Sequence, residues 1–407
     1  MHLWKASILS IEVGIARNGE RDIVKAAPRI AFHGYVFART GYGTAARAYV
    51  HAFQKAAIDT SVVSMDHYNP HPVLDPLVTS CLSRQNHPDL HLCHSEPLDF
   101  QHLRNLFSRL VVLTTWEADA LPPDYVDSLN QAMEVWVPSR FNLEVFRRQL
   151  KVPVFQLPHP VRAVCQPSIE TTEVEKRLGL NANSFVFLSV GTWQERKNLV
   201  AVLEAFLRAF PDEPDARLIL KTSFAFTNPS FVRAQVLEAF RRAAPAHPKE
   251  AIARIMVCLG NWPEENMAML TRRANCYVSL SRGEGWCYPL FDAACNGTPV
   301  IATGYSGPLD YLDPRYHRLV RYELTPALQR NQVANFAFTP DMSWAEPDLF
   351  DAAAFMRDAY EHRQQAVEQA KEGALLLQKK YAPEAVGRMA SQRLTQLAED
   401  SCLAVAG

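Results

Sequence analysis

Neither sign of charge is in excess: Lys and Arg number 42, Asp and Glu 43, and the formal net charge of the 407 residues is −1. The basic footprint of a protein whose main partner is nucleic acid is therefore missing, although local basic pockets for phosphate remain compatible with this balance. The eight cysteines include no C-x-x-C pair, and no His/Cys spacing suits zinc. Cys258 and Cys276 fall in apolar strand-like runs, so the thiols read as reduced and buried in a cytosolic protein. No apolar run approaches the length of a membrane span. The opening MHLWKASILSIEVGIARNGERD has one Lys, a short apolar stretch and no cleavage-type sequence, which is a poor signal peptide. A cytoplasmic protein is the expectation. No tandem repeat stands out. No G-x-G-x-x-G follows a strand in the proper place, which ranks a Rossmann oxidoreductase last.

What is present is a core-forming composition, 48% apolar and 21% charged, long enough for two domains. Strand, turn and helix alternate along it. Arg29–His33 reads as a strand, Gly34–Gly43 as a turn and Thr44 to about Ala57 as a helix. Thr60–Ser64, Leu90–Cys93, Leu110–Thr114, Glu134–Val137 and Val154–Leu157 read as further strands, and Asp66–Asn86 as loop. In the second half, Phe185–Val190 is a continuous apolar run, as a strand covered on both faces requires. A helix from Asn198 follows, then strands at 217–221, 254–259, 276–280 and 299–302 with helices between. This alternation predicts parallel sheets, with ligands at the carboxyl ends of the strands. A domain boundary is expected in the proline-rich stretch Pro158–Ser168. Residues 351–380 and 383–399 read as helices, and the stretch after 313 is otherwise hard to read.

Ser281–Leu312 (SRGEGWCYPLFDAACNGTPVIATGYSGPLDYL) carries the densest chemistry. Gly283 and Gly285 would let backbone come close to a ligand. Glu284 stands between them, with Trp286 beside the pair. The helix beginning near Pro289 would present free N–H groups to a phosphate. Asp292, eight positions after Glu284, could reach a ribose diol. This segment resembles the signature of retaining family-four glycosyltransferases, Glu-x7-Glu followed by Ala-x-Gly-x-Pro-Val. The resemblance implies a GT-B fold, two Rossmann-like domains facing across a cleft. It gives Glu284 the donor-sugar contact and Asp292 the ribose, with Asp standing where the family has Glu and Asn296 where it has Ala.

In Phe185–Asn198 (FVFLSVGTWQERKN), a strand runs into Gly191 and the pair Arg196-Lys197 precedes a helix. Two fixed cations stabilise a departing diphosphate, which is the family's use of this loop. Lys221, closing the next strand, would extend the cationic wall. Tyr35–Arg47 (YVFARTGYGTAAR) places Gly41 and Gly43 between the first strand and helix, where the family turns a Gly-rich loop toward the donor phosphates. Thr114–Asp119 (TTWEAD) resembles a subset of the family. Trp116 and Glu117 would face the acceptor, one as an aromatic platform and the other as a hydroxyl acceptor. The chain has no clear Asp-x-Asp, the motif of metal-dependent GT-A enzymes, so no metal and no cofactor beyond the co-substrate is expected.

Plainer roles stand beside these. Glu284 could cap a helix, and Asp292 could be a solvated carboxylate. Gly41 and Gly43 could form a tight turn, Trp116 could be partly core, and His33 and His94 could be satisfied strand-end histidines. The expected organisation is an acceptor-binding domain over residues 1–165, a nucleotide-sugar domain over 166–382 and a final helix in 383–407 packing back on the first. The expected partners are a sugar nucleotide and a carbohydrate or lipid-linked acceptor, in polysaccharide or glycoconjugate synthesis. Peripheral contact with the inner membrane face stays open, since no basic amphipathic helix stands out. A sugar-nucleotide epimerase or phosphorylase on the same fold, or a non-catalytic sugar-nucleotide binder, are the alternatives.

Overall fold

The computed structural model describes residues 29–66, 72–82, 84–162, 175–223, 229–327 and 338–405. Six short strands build the first sheet: β1 (Arg29–Gly34), β2 (Asp59–Ser64), β3 (Leu90–His94), β4 (Leu110–Leu113), β5 (Glu134–Val137) and β6 (Val154–Gln156). They run parallel in the order β2-β1-β3-β4-β5-β6. The second sheet contains β7 (Phe185–Val190), β8 (Ala216–Thr222), β9 (Ile255–Leu259), β10 (Cys276–Ser279), β11 (Val300–Thr303) and β12 (Arg318–Val320). These are also parallel, in the order β12-β11-β10-β7-β8-β9. Two doubly wound α/β units of this kind make the GT-B architecture. The apolar run of β7 is buried through its first five residues, as a strand sandwiched between helices must be.

The strand order changes direction between β1 and β3 in one sheet and between β7 and β10 in the other. In parallel sheets such switch points open a crevice at the strands' carboxyl ends. The loops after β7 and β10 are those holding Arg196-Lys197 and Glu284, so topology alone brings these distant residues together.

Helix starts are set by local chemistry. Thr40 Oγ1 accepts the Gly43 N–H at 3.2 Å to begin Gly41–Lys55, and Ser139 Oγ accepts that of Asn142 to begin Arg140–Gln149. Asp348 caps Leu349–Glu361 through the N–H groups of Phe350 and Asp351.

An aromatic core joins the units. Tyr49 donates to the Leu157 carbonyl at 2.9 Å, and His159 Nδ1 lies 2.9 Å from the Tyr49 hydroxyl. His159 also stacks on Tyr288 and meets Trp286 edge-on. The last helix, Pro383–Val405, packs on Gly41–Lys55. Gly387 makes this possible, because a Cβ there would lie 2.1 Å from the Ala52 carbonyl oxygen. Arg393 of that helix pairs with Glu134, which is 1% exposed in β5.

Some sequence readings need correction. The stretch 66–86, read as loop, contains the helix Pro76–Leu82. The single helix read over 351–380 is two, Leu349–Glu361 and Arg363–Lys380, parted where His362 leaves helical geometry at φ −109° and ψ 39°. The poorly readable region after 313 holds an antiparallel pair, β13 (Tyr322–Pro326) and β14 (Ser343–Pro347). The boundary expected at Pro158–Ser168 falls mostly on 163–174, outside the described residues.

Candidate active site

The loops after β7 and β10 meet in a compact charge cluster. Glu284 is 4% exposed. Lys197 Nζ donates to both its carboxylate oxygens, at 2.7 and 2.8 Å, and Arg196 Nη1 reaches Oε2 at 3.1 Å. Ser281 Oγ donates to Oε1 at 2.7 Å. Burial works against ionisation of Glu284, but Lys197, Arg196 and the Ser281 hydroxyl outweigh it and hold the carboxyl down at about 2. The Glu284 backbone is fixed too, its N–H donating to Ser306 Oγ and its carbonyl accepting the Gly307 N–H. Gly191 supports Lys197, whose stem would lie 3.5 Å from a Cβ at that glycine. Arg196 Nη1 also donates to the Gly283 carbonyl, and Nη2 lies 3.3 Å from Glu117 of the first unit. Burial works against charge on Arg196, yet the two carboxylates flanking it raise its pKa.

Glu117 therefore enters the cluster from across the cleft. Gly283 and Gly285 have a different task from the one expected. A Cβ at Gly283 would lie 2.0 Å from the Glu117 carbonyl oxygen, and one at Gly285 1.5 Å from Thr115 Oγ1. These glycines admit the first unit's Thr115–Glu117 turn rather than a ligand. That turn is held by Asn142, which accepts from Thr115 Oγ1 and donates to the Trp116 carbonyl.

The two tryptophans are corrections. Trp116 is 2% exposed, donates Nε1–H to the Ala120 carbonyl and stacks on Phe338 at 4.8 Å. Its aromatic face is spent on the core and offers no platform to an acceptor. Trp286, expected beside the donor, lies buried among His159, Phe291, Tyr311 and Tyr381.

Asp292 lies on the helix Tyr288–Cys295 and accepts from Arg162 Nε and Nη2 at 2.8 and 2.6 Å. Arg162 is the more exposed partner, so an approaching ligand meets a guanidinium before the carboxylate. Lys221 is absent from the Glu284 cluster. Its Nζ donates to the carbonyls of Gly260 and Thr222 and sits 5.3 Å over the Trp262 ring, and burial lowers its pKa to about 8. Gly43 is a steric necessity of its own loop, since a Cβ would lie 2.1 Å from the Ala38 carbonyl oxygen, whereas Gly41 faces open space. His33 packs with His91 and Phe107 rather than in the cleft. His94 is buried, its pKa lowered to about 3 by that burial, and it lies against Tyr42, Tyr49 and His159.

Several further residues of the site were given no role by the sequence. Glu96 follows β3 among acidic neighbours, a residue exposed overall whose carboxyl is nonetheless crowded by surrounding protein. Burial first, then Asp99 and Glu117, push its carboxyl up to about 7. Tyr35 donates to Asp99 at 2.5 Å nearby. Arg47 spans the cleft to Glu264 at 3.1 Å, and Asp310 accepts the Arg140 N–H at the start of Arg140–Gln149. Tyr35, Arg47 and Asp310 lie inside the segments quoted above, but nothing in those motifs announces their partners Asp99, Glu264 and Arg140, which come from separate segments. Among the described residues, no group of three His, Cys, Asp or Glu side chains is placed to hold a metal.

Residues 170–322 match the family model described as glycosyl transferases group 1, a stretch containing Arg196, Lys197, Glu284 and Asp292. Solved GT-B structures resemble most of the chain. Sucrose-phosphate synthase from Thermosynechococcus elongatus is 16% identical, with a TM-score of 0.65 over 91% of this chain and 99% of that one. Anabaena HepE, solved in complex with UDP and glucose, is 13% identical, with a TM-score of 0.62 over 90% and 99%. The N-terminal domain of Candida albicans trehalose-6-phosphate phosphatase is 12% identical, with a TM-score of 0.60 over 93% and 98%. At these identities the likeness establishes the fold. No curated protein sequence matches the chain.

Proposed function

We propose that the protein transfers a sugar from a nucleoside diphosphate to an acceptor hydroxyl, with retention at the anomeric carbon and without a metal. The observation that carries this is the convergence of Arg196 and Lys197 on Glu284, from two loops at one switch point, within the stretch matched by the group 1 model.

A diphosphate entering here takes up the positive charge that Glu284 now neutralises. As the bond from the anomeric carbon to the diphosphate oxygen breaks, negative charge gathers on that oxygen, and two preorganised cations stabilise it. The acceptor oxygen bonds to the same face of the sugar, and its proton passes to the leaving phosphate. No separate general base is needed. Glu284, released from the cations, orients the donor's hydroxyls. Asp292 and Arg162 meet the ribose, and the Gly41–Lys55 helix start faces the phosphates. The acceptor binds from the first unit, beside Glu117 and Glu96, in place of the buried Trp116. Closure of the two units on Thr115–Glu117 excludes water from the reacting sugar.

The natural setting proposed is polysaccharide or glycoconjugate synthesis in the cytoplasm, with a carbohydrate or lipid-linked acceptor. No described helix is long and apolar enough to cross a membrane. Because HepE was solved with UDP and glucose, uridine donors come first in the test. A panel of nucleotide sugars is scored by thermal shift, where a bound donor raises the melting temperature by mass action. Each donor that binds is then incubated with acceptor. A glycosylated acceptor with retained configuration supports the proposal. An isomerised donor without acceptor, a sugar phosphate, or binding with no turnover at all overturns it.

A further inference from the structure

A cavity of about 800 Å³ lies behind the cationic loop, outside the cleft. Its walls are the outer side of the β7 loop, the helices Leu199–Ala209 and Pro229–Ala243, and the β13–β14 pair, with no residue from the first unit. The volume is that of an ordinary small-molecule site.

The lining chemistry narrows the occupant. Trp193 and Phe231 contribute aromatic surface, and Phe231 is 40% exposed, so its ring is open to an occupant. Carboxylates outnumber guanidinium groups four to two, so a phosphate or other anion is disfavoured. The guanidinium groups are already engaged, Arg242 by Glu238 and Arg282 by Glu346. Asn198 stands in the wall, 5% exposed, and its Nδ2 has no hydrogen-bond partner among the described residues. A buried amide donor left so is costly, and turning the Asn198 side chain toward the groove would let a hydroxyl oxygen of an occupant satisfy it. Aromatic faces for C–H groups, carboxylates for hydroxyl protons and an idle amide donor together suit a neutral polyhydroxylated chain.

We propose that this groove is a second carbohydrate site, one that holds a stretch of uncharged oligosaccharide outside the cleft. The inference takes from the proposed function only that the protein handles glycans. Asn198 directly follows Lys197, so an occupant also bears on the loop that carries the cations.

The test uses the full chain and four probes, maltohexaose, cellohexaose, laminarihexaose and chitohexaose, titrated calorimetrically with and without excess UDP. At least one hexasaccharide binds in both conditions, and Phe231→Ala and Glu204→Gln each weaken it about tenfold, the scale of one lost aromatic or hydrogen-bonding contact. UDP affinity stays unchanged in both variants, which also shows that they fold. The groove is overturned if none of the four binds, or if both variants bind as the unaltered protein does. The nucleotide-sugar panel reads the transfer proposal separately, because a groove that binds glycan in a protein that binds none of those nucleotides leaves this inference standing and removes the other.

Discussion

The ammonium of Lys197 sits between both carboxylate oxygens of Glu284, at 2.7 and 2.8 Å. In the proposed reaction the same ammonium holds a diphosphate, so Glu284 competes with the ligand for it. Glu284→Gln removes the competitor's charge. Affinity for free UDP is expected to rise several-fold while sugar transfer falls by about 100-fold, the scale of losing one preorganised group. Titration calorimetry and initial rates check the two halves, and parallel losses in both would refute the competition.

The glycines beside Glu284 are needed for the fit of one unit on the other. Gly283→Ala drives a Cβ into the Glu117 carbonyl oxygen, a backbone atom that cannot rotate away. A loss of about 1–3 kcal/mol is expected, the usual penalty of overpacking. Gly41→Ala meets nothing within 4 Å and should change stability by under about 1 kcal/mol. Urea denaturation of the two variants separates them.

Glu96 makes stability depend on pH. Its carboxyl is raised from 4.5 to about 7, so the folded chain keeps a proton that the unfolded chain has released. That contribution is complete below about 4.5 and is lost as the pH climbs through 7. Glu96→Gln should therefore gain melting temperature over the unaltered protein between these values and be the more stable at pH 8. A difference that stays flat with pH would rule out the raised carboxyl.

Ala57 ends the helix Gly41–Lys55 at φ 54°, in the left-handed region. Its N–H donates to the Gln54 carbonyl and that of Ile58 to Phe53, the paired closure in which glycine is usual. Ala57 is exposed, so its methyl contributes little packing. Ala57→Gly is expected to stabilise the protein by about 1 kcal/mol, read as a higher denaturation midpoint at unchanged slope.

The two parallel sheets, apart from the edge strand β12 (Arg318–Val320), were legible in the sequence because their strands are short runs closed by turns. Arg196, Lys197 and Glu284 were legible because each lies directly after such a strand, where parallel topology places ligands. Partners were not. Trp116 and Trp286 follow strands in the same way, but whether a ring faces a cleft or a core depends on Phe338 and Tyr381, both far along the chain, and on Tyr311 beyond the next strand. The glycine pair signalled close approach correctly and misidentified what approaches, since a glycine records only that a Cβ is excluded. Nothing near Asp292 announces Arg162, 130 residues earlier. The β13–β14 pair lacked a strand signature because β13 is largely exposed and has no buried stripe.

The central claim is that Lys197 and Arg196 hold a departing diphosphate beside Glu284. Its most direct test is the single-turnover rate of sugar transfer from the best-binding nucleotide sugar, in the unaltered protein and in Lys197→Ala. A fall of about 100-fold or more, with the variant still folded and cooperative in denaturation, is the predicted result. Transfer at the unaltered rate from Lys197→Ala would contradict it.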